Sequence, residues 1–268
     1  MPTYRLTIEY EGTRYHGWQE QKNARSVTGE LRRALEEAGG TVKEIGGSGR
    51  TDAGVHALAQ VAHLRMVEAV DPESFRREAN DLLPADIHVL SLSQAPAKFH
   101  ARHDAVLRSY LYQISRRRTA LAKRFVWWVK RPLDPGRMAE AATFLPGKHD
   151  FRLFCERPAE QPSTLVVVEG VEVVTEGALV LVRLTASHFL WKMVRRVVGT
   201  LVRVGAGELP PTDFQTLLAA RPLRPGRGLP AEWTAPPSGL FLERVVYKGD
   251  PPLGPVVAAV PVSGEDDK

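Results

Sequence analysis

Tyr4-Arg5-Leu6-Thr7-Ile8-Glu9-Tyr10 alternates apolar and polar side chains, the period of a strand with one buried face. A polar loop carrying Tyr15 and Trp18, Glu11 to Lys22, separates it from a helix capped by Ser26 or Thr28. That helix runs through Leu31, Leu35 and Ala38 and stops at Gly39-Gly40. Gln60 to Met66 is predicted as a strand and Ile87 to Leu92 as another. Between them Asp71-Pro72-Glu73-Ser74 opens a helix leading to Phe75, Leu82 and Leu83. Further on, Ser109 to Ile114 alternates as a strand, and Asp134-Pro135 starts a helix through Met138, Ala142 and Leu145. Val166 to Val174 and Leu179 to Leu184 flank Thr175-Glu176-Gly177-Ala178, a hairpin signal. From about Leu190 to Val204 an apolar stripe (Leu190, Met193, Val194, Val197, Val198, Leu201, Val202) recurs at helical spacing, with Lys192, Arg195, Arg196 and Arg203 largely outside it. Leu240 to Tyr247 is a last strand. Periodicity is lost from Asp250 onward, which predicts a loose tail. Strands and helices mix without regular alternation, so the expected fold class is α+β, with helices on one face of a mostly antiparallel sheet.

Composition adds little until charge is considered. The chain has 268 residues, 43% hydrophobic and 25% charged, ordinary values for a globular protein with a sizeable core. It has no apolar run of membrane-span length, and it opens on the alternating strand rather than on a signal peptide, so the cytoplasm is the expected location. A single cysteine, Cys155, excludes an internal disulfide and any multi-cysteine zinc site. The net charge is +5, the pI about 9.4, and the cations comprise 27 arginines against nine lysines. Arginine's planar fork suits phosphate oxygens and stacks on bases, which points toward a nucleic-acid partner. Codon bias or adaptation to heat accounts for the arginines equally well.

The most informative stretch is Gly49-Arg50-Thr51-Asp52-Ala53-Gly54-Val55-His56-Ala57. Glycines at 46, 47, 49 and 54 argue against a buried strand here and in favour of close approach by a ligand, with Asp52 pointing into the space left by missing side chains. Arg50 is long enough to reach a phosphate or wedge into a base stack. The alternative is a loop in which Asp52 makes a local turn with its own backbone. His100-x-x-His103 beside Asp104 has metal-ligand chemistry, but the segment reads extended, where residues three apart face opposite sides. Gly46-Gly47-Ser48-Gly49 lacks the lysine of a phosphate-binding loop, and no cofactor motif is present.

Taken together, these residues resemble the tRNA pseudouridine synthase A family. The Asp52 loop resembles its catalytic loop. Tyr10-Glu11-Gly12 with Gly17-Trp18-Gln19-Glu20-Gln21, Asn80-Asp81-Leu82-Leu83-Pro84, Phe99-His100-Ala101-Arg102 with Tyr110-Leu111-Tyr112, His149-Asp150-Phe151, Phe189-Leu190-Trp191-Lys192-Met193-Val194-Arg195 and Ala235-Pro236-Pro237-Ser238-Gly239-Leu240 agree in order and spacing, spanning residues 4 to about 247. Ser187-His188 departs from the glycine or asparagine common before the Phe-Leu pair.

The resemblance implies two RRM/ferredoxin-like α+β domains with mostly antiparallel sheets joined into one large sheet, and an active-site cleft between them. Residues 1–105 would carry the catalytic loop, 106–248 would complete the cleft, and 249–268 would form a flexible tail. It further implies isomerisation of uridine to pseudouridine at positions 38, 39 and/or 40 of the tRNA anticodon stem-loop by a homodimer. This reaction is redox-neutral and needs neither cofactor nor metal. Asp52 would be the essential carboxylate, attacking C1′ or C6 or removing a sugar proton. Arg195 would pair with it and keep it ionised. Tyr110 would stack on the uracil or take a proton, Leu240 would line the opposite wall, and Arg50 would fill the gap left by the extruded base. Two other readings compete. An RNA-binding module without chemistry explains the arginines but not a lone aspartate among glycines, and a metal-dependent nuclease using the histidines predicts strand scission.

Overall fold

In the computed structural model the described residues are 1–264. The chain forms two compact units, Met1–Val106 with Phe241–Asp250, and Leu107–Leu240 with the chain from Pro251 onward. Both are α+β and mostly antiparallel. In the first unit the elements run β1 (Thr3–Tyr10), α1 (Val27–Glu37), β2 (Val42–Gly47), β3 (His56–Met66), α2 (Pro72–Leu82) and β4 (Ile87–Gln94). β1 lies between β4 and β3, antiparallel to both, and β2 pairs antiparallel with β3. Ser26 caps α1 by accepting from the Gly29 N–H, and Asp71 caps α2 by accepting from Ser74, each satisfying a donor that the first turn leaves open. Tyr4, Leu6, Ile8 and Tyr10 on β1 and Val27, Leu31, Ala34 and Leu35 on α1 are all buried. Each larger side chain among them contributes on the order of 1.5–3 kcal/mol by leaving water.

Gly46 and Gly47, which argued against a buried strand, lie in β2, a strand that is only half-buried at these positions. Their missing side chains serve packing inside the protein. A Cβ on Gly46 would sit 2.2 Å from the His63 imidazole, and one on Gly47 2.6 Å from the Trp18 indole.

The second unit comprises β5 (Ala105–Ser115, entered from the first unit), β6 (Trp127–Trp128), α3 (Pro135–Ala142), β7 (Gly147–Asp150), β8 (Leu165–Glu176), β9 (Leu179–Ala186), α4 (Met193–Gly205) and α5 (Pro211–Leu218). β5, β9, β8 and β7 are neighbours in that order, all antiparallel, and β6 adds a short parallel pairing to β5. α3 packs against α4, α5 and β8. Every residue of β9 is buried, so both of its faces are covered. The β5–β9 register puts Leu111, Gln113, Leu181 and Arg183 on one face and Tyr110, Tyr112, Val182 and Leu184 on the other. α4 starts at Met193, after Lys192 in a left-handed conformation with φ 60°, rather than at Leu190. Arg196, which periodicity sets outside the apolar stripe, is nonetheless buried. It donates to the Cys155 carbonyl at 2.6 Å and pairs with the Glu156 carboxylate. Burial draws its pKa down and the Glu156 charge opposes the shift.

Two expectations about the C-terminal end are corrected. The last strand, β10 (Leu240–Tyr247), does not stay with the second half. Phe241 and Leu242 pair in parallel with His56 and Ala57 of β3, and Phe241–Asp250 belongs to the first unit. The chain beyond it is not a loose tail as far as residue 264, although 265–268 lie outside the described residues. Arg183 donates to the carbonyls of Gly254 at 2.8 Å and Pro255 at 3.1 Å. The Gln113 amide accepts from Ala259 and Val260 and donates to Val260, at 2.6–3.3 Å. Val256 and Val262 are buried. An extended strap held by two buried polar side chains has no hydrophobic period, which is why composition suggested disorder.

Truncation after Asp250 strips partners from buried Gln113 and Arg183, at about 1–3 kcal/mol for each group left unsatisfied. The urea midpoint of the truncated protein should fall well below that of the full chain. An unchanged midpoint would show the strap to be dispensable.

Candidate active site

The turn carrying Asp52 joins β2 to β3 and is fastened from the protein side. Ser48 donates its N–H to Val61 O at 2.8 Å and its hydroxyl to Gln60 Oε1 at 2.9 Å. The fully buried Gln60 amide returns a bond to Gly49 O at 2.8 Å. Thr51 points inward, its hydroxyl 2.8 Å from the Tyr10 phenol and its carbonyl accepting from Trp18 N–H at 3.1 Å. Gly54, at φ 78°, donates to Tyr15 O, and Val55 N–H closes the turn onto Asp52 O at 3.2 Å. Burial pushes the Tyr10 phenol above its ordinary value, so it stays protonated.

The support comes from residues 12–18. A Cβ on Gly12 would lie 1.9 Å from Val55 O, and one on Gly17, itself at φ 94°, 2.4 Å from Thr51 O. Two glycines thus let one backbone rest on another. Gly12 N–H also donates to His56 Nδ1 at 3.0 Å, while that imidazole stacks on Phe241 with centroids 4.9 Å apart. Beside buried Thr51, Asp52 is half-buried and Arg50 exposed.

In the second unit three of the quoted sequence motifs converge. Arg195, in the first turn of α4, is half-buried and donates from Nε to Ala235 O at 2.7 Å, while Ala235 N–H donates back to Arg195 O at 3.1 Å. Tyr112 donates its hydroxyl to Pro236 O at 2.7 Å, and a Cβ on Gly239 would press on the Tyr112 ring at 2.6 Å. Tyr110, buried on the same face of β5, meets the Phe189 ring edge-on at 5.0 Å. Burial raises the Tyr112 phenol well above its usual value, against the lowering effect of the Arg195 charge. Leu240 is buried at the end of the Ala235–Leu240 segment. The sequence-predicted residues therefore divide between the units, with Asp52 and Arg50 in the first and Arg195, Tyr110 and Leu240 in the second.

The chain matches the family described as tRNA pseudouridine synthase over residues 6–104 and 141–248. It belongs to the tRNA pseudouridine synthase family. Among its relatives, tRNA pseudouridine synthase A of Sinorhizobium fredii is 39% identical over 252 residues, 92% of this chain and all of that one. The Afipia carboxidovorans and Nitrobacter winogradskyi proteins of the same name are 42% identical over 250 and 256 residues, covering 92% and 94% of this chain and 100% and 98% of theirs. Family membership makes this chain an isomerase that converts uridine in tRNA to pseudouridine.

Sequence reasoning missed the residues that hold the Asp52 loop. Gln60 and Tyr10 read as ordinary strand positions, and Gly12, Gly17 and Trp18 carried a resemblance but no role. The histidines also differ from expectation. Residues 101–103 form a turn rather than an extended segment, so the His100 and His103 rings lie 4.2 Å apart. His100 Nδ1 accepts from the N–H groups of Arg102 and His103 at 3.2 and 3.4 Å, and His63 Nδ1 accepts from Ala101 N–H at 3.2 Å. Among the described residues no cluster of three or more His, Cys, Asp or Glu side chains is arranged to hold a metal ion.

Two outcomes follow. Gly12→Ala should drive Val55 away and displace the loop, lowering kcat/KM for pseudouridine formation by about 100-fold or more. Wild-type turnover by this variant would show that the backbone contact does not position the loop. His100 is held below the ordinary histidine pKa of 6.5 by burial and then by the neighbouring His63 and His103. Its folded pKa lies under its unfolded one, so its contribution to stability is complete above about pH 6.5 and is lost as pH falls through the folded value. An NMR titration should place its midpoint below 6.5, and a midpoint at or above that value contradicts the assignment.

Proposed function

We propose that Asp52 is the essential carboxylate of this isomerase and that it acts with Arg195 and Tyr110 on uridines at positions 38, 39 and/or 40 of the anticodon stem-loop. In the reaction the N1–C1′ bond breaks, the uracil turns, and C5 bonds to C1′. C5 gives up its proton and N1 gains one, so no electrons are exchanged with a co-reactant. A carboxylate near sugar and base serves this chemistry by attack at C1′, by attack at C6, or by taking a sugar proton. Arg195 offers the cationic partner that keeps such a carboxylate ionised in a site of low polarity, and Tyr110 the aromatic face for the uracil. Leu240 supplies an apolar wall. Arg50 occupies the stack when the target nucleotide is extruded, a step costing a few kcal/mol. The enzyme would work as a cytoplasmic homodimer without a cofactor.

The observation that carries this reading is the Asp52 turn itself. Its backbone is tied by Gln60, Trp18 and Tyr15 and its Thr51 side chain by Tyr10, while Asp52 is half-buried and Arg50 exposed. A loop whose aspartate served only local turn formation would not call for two glycines beneath it and a buried amide clamping its start.

Asp52→Asn should retain tRNA binding and lose tritium release from C5-labelled uridine in unmodified tRNA, since departure of that proton is common to all three routes. Undiminished release would reject the assignment. Arg50→Ala should slow turnover on folded tRNA far more than on a flexible single strand. Equal losses on the two substrates would remove the role given to Arg50.

A further inference from the structure

Trp191 is 40% exposed, and its surroundings are built around that exposure. The Arg157 guanidinium lies 5.4 Å and the Lys192 ammonium 5.5 Å from its ring centroid. Both cations stand on left-handed backbone, φ 48° for Arg157 and 60° for Lys192, a conformation disfavoured for residues with a Cβ. The surrounding contacts maintain these two conformations. Glu156 N–H donates to Trp191 O at 3.0 Å, tying the Arg157 turn to the entry of α4. The Glu156 carboxylate is fixed by buried Arg196 and lies 3.5 Å from Lys192 Nζ. Arg157 meets Glu160 at 3.4 Å, with both side chains about 60% exposed. An ion pair that exposed is weak and exchanges readily for another anion.

A surface indole flanked by two cations has the chemistry to bind an unpaired nucleotide, with the base against the ring and the phosphate against a cation. Both cations lie more than 5 Å from the ring centroid, so an arriving base displaces one from the ring without breaking a close contact, and the displaced cation moves onto the phosphate. Arg195 lies four residues further along the same segment. We propose that Trp191, Arg157 and Lys192 form a stacking subsite for an unpaired nucleotide of the RNA substrate flanking the target uridine. This rests on the substrate reading given above and adds a position at which the enzyme grips RNA away from the reacting base.

The test measures binding of unmodified anticodon stem-loop RNA in an Asp52→Asn background, so that affinity is read without turnover. Trp191→Ala should raise Kd by roughly 5- to 150-fold, the range for loss of one base–aromatic stack, and Trp191→Phe should recover most of it. One of Arg157→Ala and Lys192→Ala, the one that removes the cation displaced onto the phosphate, should lower the slope of log Kd against log salt by about 0.7. Unchanged affinity in Trp191→Ala overturns the subsite, and so does an equal loss in Trp191→Phe, which still presents a ring. If the Asp52→Asn parent itself fails to bind the RNA, the substrate reading falls and takes the subsite with it.

Discussion

The contact of backbone on backbone beneath the Asp52 turn is the constraint on which the first unit's site depends. Val55 O lies where a side chain at residue 12 would be, and Thr51 O where one at residue 17 would be. The close approach lets Trp18 and Tyr15 bond the turn directly through their main chains, and it leaves the loop little freedom to sample other shapes. In the role proposed for Asp52, a carboxylate carried on such a turn would be oriented before any substrate arrives, a form of electrostatic preorganisation that spares a rearrangement at the moment of reaction.

The second unit uses the same device with different parts. A Cβ on Gly199, inside α4, would sit 1.7 Å from Trp233 O, and this proximity lets residue 235 exchange two hydrogen bonds with Arg195. Gly239 lies flat on the Tyr112 ring, whose hydroxyl holds Pro236. Arg195 is thus steered by a proline-rich segment some forty residues later in the chain. Behind this face, on the other side of β5 and β9, Gln113 and Arg183 hold the strap that seals the sheet.

The sequence was informative wherever a periodic pattern met a cap. Ser26 before α1, Asp71-Pro72 before α2, and the hairpin at Gly177 between β8 and β9 were legible because each has a local signature. β2 was not, since its glycines look like loop residues until the rings of His63 and Trp18 are seen against them. Arg196 was misplaced because helical periodicity cannot foresee a carboxylate, Glu156, waiting for it from another segment. α5 is only eight residues long and begins on the second of two consecutive prolines, and the strap has no period at all. For the site, the motif around Asp52 was readable, but the residues clamping it were not. Gln60 alternates like any strand residue, and its role appears only once its amide is found between Ser48 and Gly49.

The return of β10 to the first unit has a consequence for biogenesis. Residues 1–106 leave the ribosome well before the strand that pairs with His56 and Ala57, which is made only after residue 240. The N-terminal portion must therefore wait, with one margin of β3 unpaired around His56, while the intervening 134 residues are translated. Pairing across so large a separation is slow because a long loop must close before any contact rewards it. Phe241, stacked on His56, arrives only after residues 107–240, so completion of the Asp52 turn's surroundings doubles as a checkpoint that the strands and helices of the second unit have been synthesised.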